Sequence, residues 1–288
     1  MRTLLISCLI LSASTSFAQQ DPISGMHWNN LTHFNPAMSG LLWGHQASIT
    51  YRNQWSQLAN SPESIWANYS GILLDNHGVG LNAYYNTLGN SQIINGNFNY
   101  NYQFKFDNAH KLAIGVGVGM DHVHSDNMWI PPTSEPDISL PVETNDALFN
   151  LNAGAVYKGR KFLAGVGATH LTGGALRTSN GTNYDPAPHA YLHGYWISRL
   201  TRKLSFVPAL MTRTDFVVLS ADILARALYE SKHSYSFAIG YRTQSAILAN
   251  IQWDIKRRYR IGYNFEYNLS KLGNTGSTHE VALGIYFR

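Results

Sequence analysis

At 288 residues the chain could hold one large all-β domain or two ordinary ones, but no Pro/Gly/Ser-rich linker or charge block divides it, so one domain is expected. Only 13% of its residues are charged and 12% are aromatic, against roughly 25% charged in an average soluble domain; something other than water should cover much of its surface. The net charge of +4, without basic clusters of the kind that track phosphates, argues against nucleic acid as a partner, and a single cysteine, Cys8, excludes disulfides and thiolate metal sites from the mature chain.

Residues 1–18 carry a basic Arg2, an apolar core from Leu4 to Leu11 and the small-residue ending Ser16-Phe17-Ala18, the pattern of a secretory signal cleaved after Ala18. Residues 19–44 do not alternate. They include Trp28, Leu31, Phe34 and Trp43, which need burial, so this stretch is expected to act as a plug in the lumen of a barrel or to pack beneath it. From there no segment approaches the roughly 20 apolar residues of a membrane helix.

Residues 45–288 instead read with a period of two. Phe98, Tyr100, Tyr102, Phe104 and Phe106 fall on one face while Asn97, Asn99, Asn101, Gln103 and Lys105 fall on the other, as successive side chains of a strand must. Near the end, Tyr259, Ile261, Tyr263, Phe265, Tyr267 and Leu269 oppose Arg258, Arg260, Gly262, Asn264, Glu266 and Asn268. The alternation predicts strands at about 45–54, 63–73, 77–87, 92–106, 110–122, 147–158, 161–170, 188–198, 203–212, 215–225, 233–242, 244–256, 258–270 and 278–287. Aromatic outer faces and Asn/Gly/Ser inner faces suit a lipid-facing wall around a polar lumen better than a soluble sandwich. The expectation is an all-β, closed, antiparallel transmembrane β-barrel of about fourteen strands in the outer membrane, contacting outer-membrane lipids. Loop lengths fit: the long connections 123–146 and 171–187 follow strands five and seven and so lie outside. Tight turns fall on the other side, with a longer one expected at 226–232 and short external exceptions near Arg213-Thr214 and Thr243.

The sequence offers little chemistry. His189 and His193, four apart on a strand, are roughly 13 Å apart and cannot share a metal. His122 and His124, with Asp121 and Asp126, read as solvated residues at a strand end, and Glu135/Asp137 and Glu143/Asp146 as a solvated or partner-binding external loop. Gly115, Gly117 and Gly119 alternate with Ile114, Val116 and Val118 inside a strand, where they make room in the lumen; a phosphate loop would sit between a strand and a helix. No nucleophile elbow occurs, so neither enzyme activity nor a cofactor is expected. Arg52 on the first strand should meet Glu280 across the seam with the last, with Glu266 as its alternative partner.

Gln20-Asp21-Pro22 is followed by Asn35-Pro36-Ala37 and Gly40, then by Tyr51-Arg52-Asn53-Gln54-Trp55. The close of the chain runs from Tyr263 through Ser270-Lys271-Leu272 and Gly276-Ser277 to His279-Glu280-Val281. In order and spacing these segments resemble the PorP/SprF family of type IX secretion components. Met38 and the terminal Arg288 depart from the family pattern, each standing where an aromatic is common. The resemblance implies an outer-membrane protein of Bacteroidota acting in the export or surface attachment of cargo such as gliding adhesins. Its partner would be the periplasmic lipoprotein ring or a cognate secreted protein, and the motif residues above, with Glu266, become candidates for lumen or partner contacts. A porin or transporter for small or hydrophobic solutes is the competing reading, and a barrel phospholipase or protease a distant third.

Overall fold

The computed structural model describes residues 23–125, 144–173, 176–178, 181–184, 186–243, 245–269 and 275–287. The expected signal peptide, the Gln20-Asp21-Pro22 and Ser270-Lys271-Leu272 segments, and Asp126, Glu135, Asp137 and Glu143 lie outside these residues.

Fourteen antiparallel strands close into a barrel: β1 His45–Asn53, β2 Glu63–Leu74, β3 His77–Leu88, β4 Ser91–Lys105, β5 Lys111–Ser125, β6 Thr144–Lys158, β7 Phe162–Thr169, β8 His189–Trp196, β9 Leu204–Thr214, β10 Leu219–Glu230, β11 Ser234–Arg242, β12 Ala246–Ile255, β13 Tyr259–Asn268 and β14 Thr278–Phe287. Each strand pairs with the next, and β1 pairs with β14 in the register Arg52↔Glu280. Closure leaves no sheet edge unpaired, which lipid requires. In β4 the outward Phe98 is 48% exposed, whereas Asn95, Asn97, Asn99 and Asn101 are buried. The wall is therefore apolar outside and polar within. No helix among the described residues is long and apolar enough to cross a membrane.

The tenth strand differs from expectation. Phe216-Val217-Val218 continues the apolar pattern of Leu219, but Asp215 accepts hydrogen bonds from the backbone N–H groups of Val217 (3.0 Å) and Val218 (2.7 Å), and Phe216 takes φ 67°. These contacts make 215–218 a turn, so β10 starts four residues late and runs to Glu230. The longer turn expected at 226–232 shrinks accordingly, and Arg226 joins the wall. Strands β5 and β6 also extend beyond expectation, paired out to Ser125↔Thr144. Asp121, expected in solvent, is buried among Asn95, Asn150 and His170.

The connections at one end, 75–76, 106–110, 159–161, 197–203, 231–233 and 256–258, are all short and join even strands to odd ones, whereas the other end carries every long connection, 54–62, 126–143, 170–188 and 269–277, beside short turns at 89–90, 215–218 and 243–245. That asymmetry assigns the end with only short connections to the periplasm. In one of these turns Asp107 accepts hydrogen bonds from the His110 ring (2.7 Å) and from the N–H groups of Ala109 and His110. The contacts hold its carboxyl down at about 2, the His110 side chain contributing most.

Inside the barrel lie a 3-10 turn at His27–Asn29, a one-turn helix α1 at Leu31–Phe34 and a second 3-10 turn at Pro36–Met38. Leu31, Ala37, Met38 and Leu41 pack on the wall residues Ala113, Val156 and Leu163, and Phe34 packs on Tyr191 and Met211. The buried apolar core thus sits between this segment and the wall.

Candidate functional site

The N-terminal segment is held at two levels. In the periplasmic half, Asn35 is wholly buried. Its side-chain oxygen accepts from Ala37 N–H (3.0 Å), capping the second 3-10 turn, with Pro36 in the first position where its missing N–H costs nothing. Its amide donates to Val166 O (2.9 Å) and Ala155 O (3.3 Å) and lies 3.0 Å from His193 Nε2. The wall admits this approach because it carries glycines there: a Cβ on Gly115 would stand 2.5 Å from Ala37 N, and one on Gly154 would collide with the Asn35 side chain. Gly40 has φ +66° and donates to Ser70 Oγ (2.7 Å). The expectation that Gly115 makes room in the lumen holds.

In the outer half, buried charges from six strands join. Arg52 forks onto Glu266 (Nη1–Oε1 2.6 Å, Nη2–Oε2 2.8 Å) and reaches Glu280 at 3.3 Å. Both carboxylates named from the sequence are thus its partners, Glu266 at closer range. Arg242 bridges onward, from Glu266 (2.7 Å) to Asp222 (2.8 and 2.9 Å), and Arg213 approaches Asp222 at 3.5 Å. Three cations balance three anions, with Arg52, Glu266 and Glu280 only 2%, 3% and 0% exposed. Glu280 also accepts from Ser24 Oγ (2.5 Å), Gly25 N (2.8 Å) and Met26 N (3.3 Å). A Cβ on Gly25 would come within 2.5 Å of the Glu266 carboxylate. The network is therefore a latch that clasps the backbone of the segment.

The remaining motif residues build the external end of the seam. Tyr51 points outward and donates to Glu63 (3.0 Å), and Asn53 donates to Ser61 Oγ (3.0 Å). Gln54 N–H bonds Pro62 O, and Trp55, at φ 58°, donates its N–H to Thr278 Oγ1. Gly276, at φ +79°, abuts Gln57, while Ser277 accepts from Ser56 N–H and contacts His279, whose other ring nitrogen meets Tyr263 Oη at 2.7 Å. The early and late motifs therefore meet across β1 and β14, whereas Asn35, Pro36, Ala37 and Gly40 form the separate lower anchor. Arg242, Asp222, Ser24 and Gly25 escaped the sequence reading; alternation marks Arg242 and Asp222 as lumenal, but strand register decides their pairing.

The fold also gathers charge that is dispersed in sequence. Arg160, Lys161, Arg199, Arg202, Lys203, Lys232, Lys256, Arg257 and Arg258 all stand exposed at the periplasmic rim, against Asp75, Asp107 and Glu230. Only Lys256-Arg257-Arg258 form a run of three in sequence; the fold brings the remaining cations to the same rim, so the expectation of a surface without basic clusters fails.

The sequence matches, over residues 16–285, the family described as type IX secretion system membrane protein PorP/SprF. The chain belongs to the PorP/SprF family. No curated protein matches it. Among solved structures this PorP/SprF protein is similar to the toluene transporter TbuX of Ralstonia pickettii (TM-score 0.54, 9% identity, covering 88% of this chain and 92% of that one). It is also similar to the monoaromatic hydrocarbon channel CymD (0.53, 9%, 91% of each chain) and to a FadL homologue of Pseudomonas aeruginosa (0.50, 11%, 88% and 93%). At such identities the likeness establishes a shared outer-membrane barrel fold and nothing about solutes. Membership of PorP/SprF places the chain among type IX secretion membrane proteins.

Proposed function

We propose that this protein serves type IX secretion by binding protein partners at its periplasmic face, with its N-terminal segment as a plug that keeps solutes from passing. The partner would be the periplasmic lipoprotein ring or a cognate cargo protein such as a gliding adhesin, exported or held at the surface. The observation that carries the reading is the occupation of the lumen. Residues 24–40 hydrogen-bond to Thr50, Asn68, Asn82, Asn99, Val166, Gln252, Arg260 and Glu280, on eight of the fourteen strands. A wall tied to its contents at so many points supports a rigid platform more than a passage. The exposed basic rim supports recognition of an acidic periplasmic surface, since complementary charge steers encounter and excludes wrong partners. No group of three or more His, Cys, Asp or Glu suited to a metal occurs among the described residues, and the reading involves neither catalysis nor a cofactor.

The test is a deletion strain. Loss of one or a few type IX cargoes from its surface proteome, with small-solute uptake unchanged, is the expected result. An intact surface proteome with altered uptake would favour the transporter instead. Reversing Arg257 and Arg258 to Glu should weaken partner capture while leaving the barrel folded.

A further inference from the structure

Between the N-terminal segment and strands β8 to β10 and β13 lies a cavity of about 390 Å³, separate from the latch. It opens at the periplasmic end, where Ile197, Arg199 and Arg257 line its mouth. Its walls are largely apolar, from Trp28, Leu31, Leu42, Val207 and Leu228, with the cations Arg226 and Arg260 and the carboxylates of Glu230 and Asp254 also in the lining. The guanidinium carbon of Arg226 stands 4.9 Å from the centroid of the Trp28 ring. Its Nε is buried with no acceptor, and among the described residues Arg226 has neither a hydrogen bond nor an ion pair. The nearby carboxylate of Asp254 is engaged by Arg260 at 2.8 Å, and Arg260 also donates to Asn29 at 2.7 Å. Arg226 as a whole is half-buried and lines the cavity, so its terminal nitrogens remain available to an anion there, and Arg is suited to bidentate recognition of carboxylate or phosphate.

We propose that this cavity binds a small organic anion with an apolar tail, entering from the periplasm. The anionic head pairs with Arg226 and the tail lies along Trp28 and Leu31. Arg199 and Arg257 at the mouth attract the charge, and the apolar walls reward the tail. The volume lies at the lower end of the roughly 300–1,000 Å³ of small-ligand sites, which favours such a molecule over a folded protein surface. The cavity, its cation and its opening belong to the barrel and its N-terminal segment, and none of them depends on the secretion role.

Decanoate is the probe. Binding of radiolabelled decanoate to the full chain in phosphatidylcholine nanodiscs, with empty discs as the partition baseline, should saturate at one site per protein. Arg226→Met should weaken it at least tenfold. Ala209→Phe, which fills the cavity without touching the charge, should abolish it; heat-dependent gel mobility verifies that each variant is folded. Decanol, lacking the charge, and acetate, lacking the tail, should fail to compete. Equal binding by wild type and Ala209→Phe, or full competition by decanol, would overturn the proposal. So would saturable binding confined to an acidic peptide with an apolar end, which would make the cavity a peptide pocket. Should Arg226→Met misfold, Ala209→Phe and the decanol competition still decide the question.

Discussion

Replacing Arg52 with methionine keeps the length of the stem and removes the cation that Glu266 and Glu280 share. Breaking a buried pair by deleting one partner costs about 3–5 kcal/mol, and the structure selects the lower end of that range. Glu266 retains Arg242 at 2.7 Å, and Glu280 retains Ser24 and the N–H groups of Gly25 and Met26. The expected loss is about 3 kcal/mol, because two buried carboxylates then face each other with one fewer cation. Adding Glu280→Gln restores charge balance while leaving an oxygen to accept from Gly25, so the double variant should recover roughly half of that loss, within the range of couplings between touching residues. Urea unfolding in phosphatidylcholine bilayers, followed by tryptophan fluorescence and by heat-dependent gel mobility, measures both. A loss below about 1 kcal/mol for Arg52→Met, or strictly additive losses in the double variant, would refute the latch.

Gly115→Val drives side-chain atoms into Ala37 and should expel the lower part of the segment, raising single-channel conductance in planar bilayers above that of the wild type; unchanged conductance would mean that the segment yields without leaving. Asn35→Ala removes a cap and three further contacts, and should cost at least the roughly 0.5–2 kcal/mol of a lost cap in urea unfolding. Ile251, exposed in the middle of β12, faces lipid, so Ile251→Arg should cost about 2–4 kcal/mol, falling if the site lies near an interface. The Asp107 carboxyl is depressed to about 2 in the folded chain, so its contribution to stability is complete above the unfolded value of roughly 3.9 and disappears as pH falls through the folded one. The difference in urea midpoint between wild type and Asp107→Asn should therefore shrink across that acid interval and stay constant at neutral pH.

The barrel was legible because lipid outside and polar groups inside impose a period of two that little else produces. Phe98 to Phe106 against Asn97 to Lys105 shows it most plainly. Periodicity misleads at Phe216-Val217-Val218, where an apolar run continues the pattern, and Asp215 decides the turn through two hydrogen bonds that periodicity does not register. Asn99 and Asn101 were legible as lumenal, but not their acceptors, the carbonyls of Thr32, Pro36 and Ser39, which belong to an aperiodic segment. Of the latch, Arg52, Glu266 and Glu280 could be read from strand order at the seam. Arg242 and Asp222 could not, since their meeting depends on tilt and register across β10 to β13. The basic rim was invisible for a simpler reason: its residues are spread over four turns that only closure brings together.

The clasp of Glu280 on Gly25 joins positions 255 apart in the chain, and this fixes an order of assembly. The outer hold on the N-terminal segment cannot exist until β14, made last, arrives beside β1. Until then the segment must wait in an unfinished cavity, kept by the lower anchor of Asn35 and by the asparagines of β2 to β4. Contacts so distant in sequence are slow to form, because the loop entropy is lost before they reward it. Completing the outer hold and closing the seam thus become one event, and a chain whose last strand is late would present an open edge with its interior already filled.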